Sequence, residues 1–160
     1  MLLQHPRPRE ERRLTMTVQI LVGTLVSLIN IMVHALTTVA AIGIARSAGQ
    51  RTGLHPKLHL MAVMAATASV LLAAHMFEVF VWSLAYWWLG VAPKDADLAY
   101  FVFVNYTTLG YGDITPVKEW RLLGPITAMN GALMFGWSTA VLFEVLLKAM
   151  ERYWSSPSSS

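Results

Sequence analysis

Three long stretches nearly free of Lys, Arg, Asp and Glu constrain this chain more than any other feature. Leu14 to Ala45 and Leu122 to Phe143 contain none of the four, and Leu58 to Pro93 contains one, Glu78. A helix needs about 20 apolar residues to cross about 30 Å of hydrocarbon, so each stretch is long enough to span a bilayer. Of the 160 residues, 56% are hydrophobic and 13% charged, which is too apolar for an ordinary soluble domain. The expected fold is all-α and multi-pass, with the lipid bilayer as the chain's solvent.

Breakers between the runs set the expected boundaries. A polar tail, 1–16, contains Pro6 and Pro8 and precedes a first helix at 17–46. The run is too long for a signal-peptide core, so the first helix is expected to remain in the mature protein. Arg46, Gly49, Gln50, Arg51, Gly53 and Pro56 make a linker, 47–57, before a second helix at 58–90. Trp82, Tyr86, Trp87 and Trp88 near its end have the composition of a headgroup-level aromatic belt. A last helix is expected at 122–150, followed by a structureless Ser-rich tail, 151–160. Cysteine is absent, so disulfides and thiolate metal sites are excluded, and the net charge of +3 decides little. No interleaving of basic and aromatic residues points to nucleic acid.

The segment between the second and last helices cannot cross. Residues 96–107 suit a helix, but about twelve residues at 1.5 Å each reach about 18 Å. Such a helix has to enter the membrane and turn back. Non-helical backbone at that depth is tolerated only where protein buries it or it borders water.

Thr108-Leu109-Gly110-Tyr111-Gly112-Asp113 follows directly. Gly110 and Gly112 readily take positive φ. In an extended strand the carbonyls alternate sides, whereas residues of alternating handedness aim those of Thr108, Leu109, Gly110 and Tyr111 at one axis. The Thr108 hydroxyl adds one more ring of oxygens. One chain supplies only a quarter of such a cage, so four copies are required to replace a cation's hydration shell.

At these residues the sequence resembles the potassium-channel pore superfamily, whose Thr-x-Gly-Tyr-Gly-Asp filter is matched at Thr108, Gly110, Tyr111, Gly112 and Asp113. The match extends back through Thr107 and forward through Pro116 and Trp120. The resemblance implies a homotetramer in the plasma or cell inner membrane that passes K⁺ down its gradient. Each subunit would contribute a pore domain, 58–150: outer helix 58–90, pore helix 96–107, extended selectivity filter 108–112 and inner helix 122–150. It implies K⁺ at the carbonyls of Thr108, Leu109, Gly110 and Tyr111, no cofactor beyond the permeant ion, and no enzymatic activity. Three transmembrane helices per subunit then comprise the two-helix pore unit plus one extra N-terminal helix. By the same register Val104 stands where many members have a carboxylate behind the filter. Asp113, at the outer mouth, therefore lacks an acidic partner, and Tyr100, one turn before Val104, is the expected donor to it.

In the last helix, Gly131 and Gly136 stand where the family's inner helix carries glycines, which serve either as a hinge or as close-packing positions. Phe135, Thr139 and Phe143 form an i, i+4, i+8 stripe that either lines the cavity or packs on the second helix. Glu144 and Lys148 are an i, i+4 pair, read either as an exposed helix pair or with Glu144 as a cation-attracting ring at the inner mouth. Glu78 and His75 share one face of the second helix, with Asn30 or His34 of the first helix as further partners for Glu78. That pairing reads either as a structural hydrogen bond or as a proton-sensitive gating pair. No His-Glu-x-x-His spacing is present, so a transition-metal centre is not expected.

An outward-facing filter puts the 47–57 linker and the C-terminus in the cytoplasm and the N-terminus outside. Arg46, Arg51 and Lys57 agree with the positive-inside rule, whereas Arg7, Arg9, Arg12 and Arg13 oppose it. No Arg-rich voltage-sensing helix is present. About ten residues after the last helix are too few for a gating domain, so a lipid, proton or partner-chain gate is expected. The competing functions are a non-selective cation channel, a non-conducting partner subunit and an intramembrane enzyme, the last without a nucleophile–base spacing.

Overall fold

A computed structural model describes residues 9–48 and 55–155, and among them the chain is helical with no strand. Helix α1 is Arg9–Ala48, α2 is Pro56–Leu89, α3 is Leu98–Tyr106 and α4 is Leu123–Ser155. A single 3₁₀ turn, Lys118–Trp120, precedes α4. Three helices contain segments long and apolar enough to cross a membrane: Thr15–Ala45, Lys57–Leu89 and Leu123–Glu151. The expected break in the linker falls largely on residues 49–54, and the extreme tails on 1–8 and 156–160, all outside the described residues.

Two boundaries differ from expectation for one reason. Helix α1 starts eight residues before Thr17, so half of the expected tail is helical. Likewise α4 continues past Met150 to Ser155. The apolar run marks what can lie in lipid, but Arg and Glu are good helix formers and carry a helix beyond it.

Local sequence explains the other ends. Pro56 opens α2, where its missing N–H costs nothing. Gly90 closes it in the left-handed region at φ 63. The Gly90 N–H donates to the Trp87 carbonyl at 3.3 Å and the Val91 N–H to that of Tyr86 at 3.0 Å, the paired bonds of a Schellman cap. Asp97 caps α3 by accepting the Tyr100 N–H at 3.1 Å, so the helix starts one residue later, inside the expected 96–107.

The chain divides into two compact units. The first comprises 1–29 and 79–132; the second comprises 30–78 and 133–160. In the first unit Trp82, Tyr86, Val91, Phe101, Val102, Tyr106 and Leu123 are fully enclosed. Trp82 Nε1 donates to Asn130 Oδ1 at 2.9 Å, and the Tyr86 hydroxyl meets Thr127 Oγ1 at 3.0 Å. Thr127 gives its own proton to the Leu123 carbonyl at 2.8 Å, so Tyr86 is the donor to it. Two members of the supposed headgroup belt therefore hydrogen-bond α2 to α4 from the interior. Only Trp87 and Trp88, 72% and 82% exposed, keep a position open to lipid or headgroups.

The first part of helix α1, up to Ile29, is built into the same unit. Gly23 lets α1 approach α4 closely, since a β-carbon there would press on the Ile126 side chain at 2.8 Å. Gln19, also buried, accepts the Leu122 N–H at 2.8 Å through its Oε1. That bond satisfies one of the donors that the start of α4 leaves open, which matters most where water is scarce.

In the second unit the apolar interior is Ala41, Val63, Leu71, Ala74, Met134, Val141 and Val145. Enclosed among these segments is a polar group: Asn30, His34, Thr67, His75, Glu78 and Ser138.

Candidate functional site: the loop after α3 and the buried polar cluster

The last turn of α3 and the residues after it form one hydrogen-bonded device. Thr107 closes the helix, its N–H and its Oγ1 both donating to the Phe103 carbonyl, at 2.9 and 2.7 Å. The Thr108 N–H reaches the Asn105 carbonyl at 3.0 Å. The Val104 carbonyl then accepts from both Leu109 and Gly110, at 3.0 and 3.3 Å. Val104 is buried, and here it acts through its main chain. The first residues of the loop thus hang from the C-terminal carbonyls of α3.

Beyond that anchor the backbone alternates in handedness. Thr108, Gly110 and Gly112 have φ of 61, 59 and 78, with Leu109 and Tyr111 between them outside the left-handed region. Positive φ at Gly110 and Gly112 meets the expectation from glycine. Thr108 does not follow from residue type, because a β-branched residue in this region is a true outlier. Such a conformation costs on the order of 1–3 kcal/mol and persists only where its surroundings over-determine it. The Asn105 and Val104 carbonyls, which grip the N–H groups of Thr108, Leu109 and Gly110, supply that constraint.

The far end of the loop is also tied. Asp113 Oδ1 accepts the Ile114 N–H at 3.0 Å, and Oδ2 accepts the Tyr100 hydroxyl at 2.8 Å. The expected Tyr100–Asp113 contact is therefore formed. The bond to the carboxylate, together with its charge, raises the Tyr100 phenol above its ordinary value of 10.0. Further on, the Val117 N–H donates to the Val91 carbonyl at 2.9 Å, which returns the chain to the end of α2. Within the single chain, Thr107 to Asp113 remain exposed, including Leu109 at 55% and Tyr111 at 67%.

The α4 residues separate by environment. Gly131 lies against the backbone of Tyr106, and a β-carbon there would overlap the Tyr106 carbonyl oxygen. Its geometry is that of close packing. At Gly136 a β-carbon would meet nothing within 4 Å. Phe135, Thr139 and Phe143 all lie on an exposed stripe, while the neighbouring stripe of Met134, Ser138, Val141 and Val145 is buried. The Phe135 ring stays within 4.7 Å of the His75 ring. Glu144 and Lys148 form an exposed ion pair at 2.6 Å, a contact worth about 0.3–0.5 kcal/mol on a helix surface.

The second unit draws together residues from three helices that spacing left apart. Glu78 Oε1 lies 2.7 Å from His34 Nδ1, and Oε2 lies 3.3 Å from His75 Nδ1. The nearer partner is thus on α1, not on Glu78's own helix. Ser138 Oγ of α4 stands 2.9 Å from His75 Nε2 and 3.2 Å from His34 Nε2. Asn30 Nδ2 donates to the Glu78 carbonyl at 3.4 Å. One donor atom each from His34, His75 and Glu78 lie within 4.8 Å of one another, so the absence of a linear metal motif did not mean the absence of a cluster. Ser138 carried no signal in the sequence, being one hydroxyl beside Thr139 in a largely apolar run.

Comparison with known proteins adds one finding. A family model described as ion channel, Ion_trans_2, matches residues 60–148, more than half of the chain and inclusive of α3 and the loop after it. No curated protein and no solved structure matches.

Proposed function

The chain belongs to the two-transmembrane ion-channel family, and from that premise we propose that it is the subunit of a homotetrameric, potassium-selective channel in the plasma or inner cell membrane. The observation that carries this reading is the alternation of φ at Thr108, Gly110 and Gly112 on a loop suspended from α3. In this reading α3 is the pore helix and 108–112 the selectivity filter. Alternating handedness brings successive carbonyls to one side of the strand, where four chains together offer rings of oxygens to a dehydrated K⁺. The exposure of Leu109 and Tyr111 in one chain supports assembly, because large apolar surface on a re-entrant loop needs protein or a water-filled path beside it.

The residues divide the work. Carbonyls of Thr108, Leu109, Gly110 and Tyr111 and the Thr108 hydroxyl coordinate the ion. The C-terminal carbonyls of the pore helix favour a cation at the inner end of the filter. Asp113 concentrates cations at the outer mouth, and its bond to Tyr100 fixes the loop's outer end to the pore helix. Exposed Phe135, Thr139 and Phe143 line the inner path, and Gly136 is the inner-helix glycine left free to bend. Conduction is passive and needs no cofactor.

The test is rubidium uptake by liposomes holding the purified chain and loaded with K⁺. Uptake abolished by barium and by Gly110→Ala is expected; liposomes that stay tight to rubidium would contradict the proposal.

A further inference from the structure

We infer that His34, His75 and Glu78 form an intramembrane site for a divalent transition-metal ion of the zinc class, with Ser138 orienting both imidazoles. The inference rests on convergence. Both Nδ1 atoms face the Glu78 carboxylate, and both Nε2 atoms face Ser138 Oγ. Two imidazoles and a carboxylate thus meet at one buried point, and each imidazole has the same outer partner on its far side.

A divalent cation fits that convergence. With a metal ion shared by Nδ1 of His34, Nδ1 of His75 and the Glu78 carboxylate, each imidazole carries its proton on Nε2. Ser138 Oγ has two acceptor lone pairs and takes both Nε2–H groups. Ligating histidines typically donate their other N–H to just such an outer partner, which fixes tautomer and ring orientation. The donor set also names the metal class. Two imidazoles and one carboxylate suit Zn²⁺ and its neighbours, with a fourth position open, and do not suit K⁺, Mg²⁺ or Ca²⁺. Bonds of about 2.1 Å set ligand atoms about 3.4 Å apart, so the His34–Glu78 contact at 2.7 Å opens slightly while the wider pairs, all within 4.8 Å, draw in. Burial favours the ion–carboxylate attraction: His34 and Glu78 are fully enclosed, and Trp137 packs edge-on to the His34 ring at 5.5 Å.

The ligands come from α1 and α2 and the orienting hydroxyl from α4, so an ion here links three helices that each carry apolar span sequence. A metal-loaded site would clamp the first helix to the family's pore unit. This inference does not depend on potassium selectivity, and the following experiment reads metal rather than flux.

The purified full chain, stripped with chelator, is titrated with Co²⁺ alone while its visible ligand-field absorption is recorded. Saturation at one Co²⁺ per chain, displacement by Zn²⁺ and a Zn²⁺-dependent rise in melting temperature are expected for the unmodified protein. Glu78→Gln and His34→Gln should weaken binding about hundredfold, and Ser138→Ala about tenfold, as removal of an outer partner does. The variant with His5, His55 and His59 all changed to Ala should bind like the original. Failure of the unmodified chain to saturate at one ion per chain would overturn the inference. So would binding that disappears in the triple variant and survives in His34→Gln.

Discussion

Gly131 of α4 rests on the main chain of Tyr106, the last residue of α3, so closely that no side-chain carbon fits between them. The contact explains why an apolar membrane helix retains a residue that costs it about 1 kcal/mol relative to alanine. It also separates two glycines that look equivalent in sequence. Gly131→Ala must push α3 away or bend α4, so it should destabilise the protein by about 1–3 kcal/mol, the usual range for overpacking. Gly136→Ala has open space and should raise helix stability by up to about 1 kcal/mol. Thermal melting of the two variants in detergent checks both signs, and rubidium flux should fall in Gly131→Ala.

Tyr100 and Asp113 yield a prediction about pH. The phenol donates to the carboxylate, so folding favours its protonated form and raises its pKa above 10.0. A raised folded-state pKa means the contribution is fully present below the unfolded value, about 10, and is lost as pH climbs through the folded value. Flux or barium block should therefore be insensitive to this bond from neutral pH up to about 10 and change only at more alkaline external pH. Tyr100→Phe should remove that alkaline step and speed filter inactivation at neutral pH. An alkaline step of equal size in Tyr100→Phe would place its origin elsewhere.

Trp82 and Asn130 give a direct measure of polar contacts between α2 and α4. Interhelical hydrogen bonds in membrane proteins couple by about 0.6 kcal/mol on average and 1.7 at most. A double-mutant cycle with Trp82→Phe and Asn130→Ala, read by unfolding in mixed detergent, should return a coupling within that range. Zero coupling would mean the 2.9 Å contact carries no net energy.

Gln19 should matter more than a surface glutamine in a first helix would. Gln19→Leu fills a similar volume and leaves the Leu122 N–H without its acceptor, so a loss of about 1–3 kcal/mol is expected. The melting temperature of Gln19→Leu checks it, with Gln19→Glu, which keeps the acceptor, expected to fall closer to the original.

Much of the architecture was readable because membrane helices are written in long uncharged runs, and α3 because its run is too short to cross. The loop was readable at Gly110 and Gly112, where residue type itself permits positive φ. Thr108 was not, since its left-handed backbone is imposed by carbonyls of α3 rather than chosen by its side chain. Hydropathy also does not say which way an aromatic faces. Trp82 and Tyr86 share the composition of Trp87 and Trp88, yet the first two point inward to Asn130 and Thr127. Contacts over great chain separation stayed hidden for the same reason: nothing local in Gln19 announces Leu122, and nothing in His34 announces Glu78 and Ser138. The pairing of His75 with Glu78 was visible because the two share one helix face, and it proved to be the longer of Glu78's two histidine contacts.

Potassium selectivity is read by the reversal potential of the purified chain alone in a planar bilayer, with high K⁺ on one side and low K⁺ plus Na⁺ on the other. The expected reversal potential lies close to the K⁺ equilibrium value and moves with the K⁺ ratio. Current that reverses near zero would show a cation pathway without discrimination and contradict the proposed selectivity.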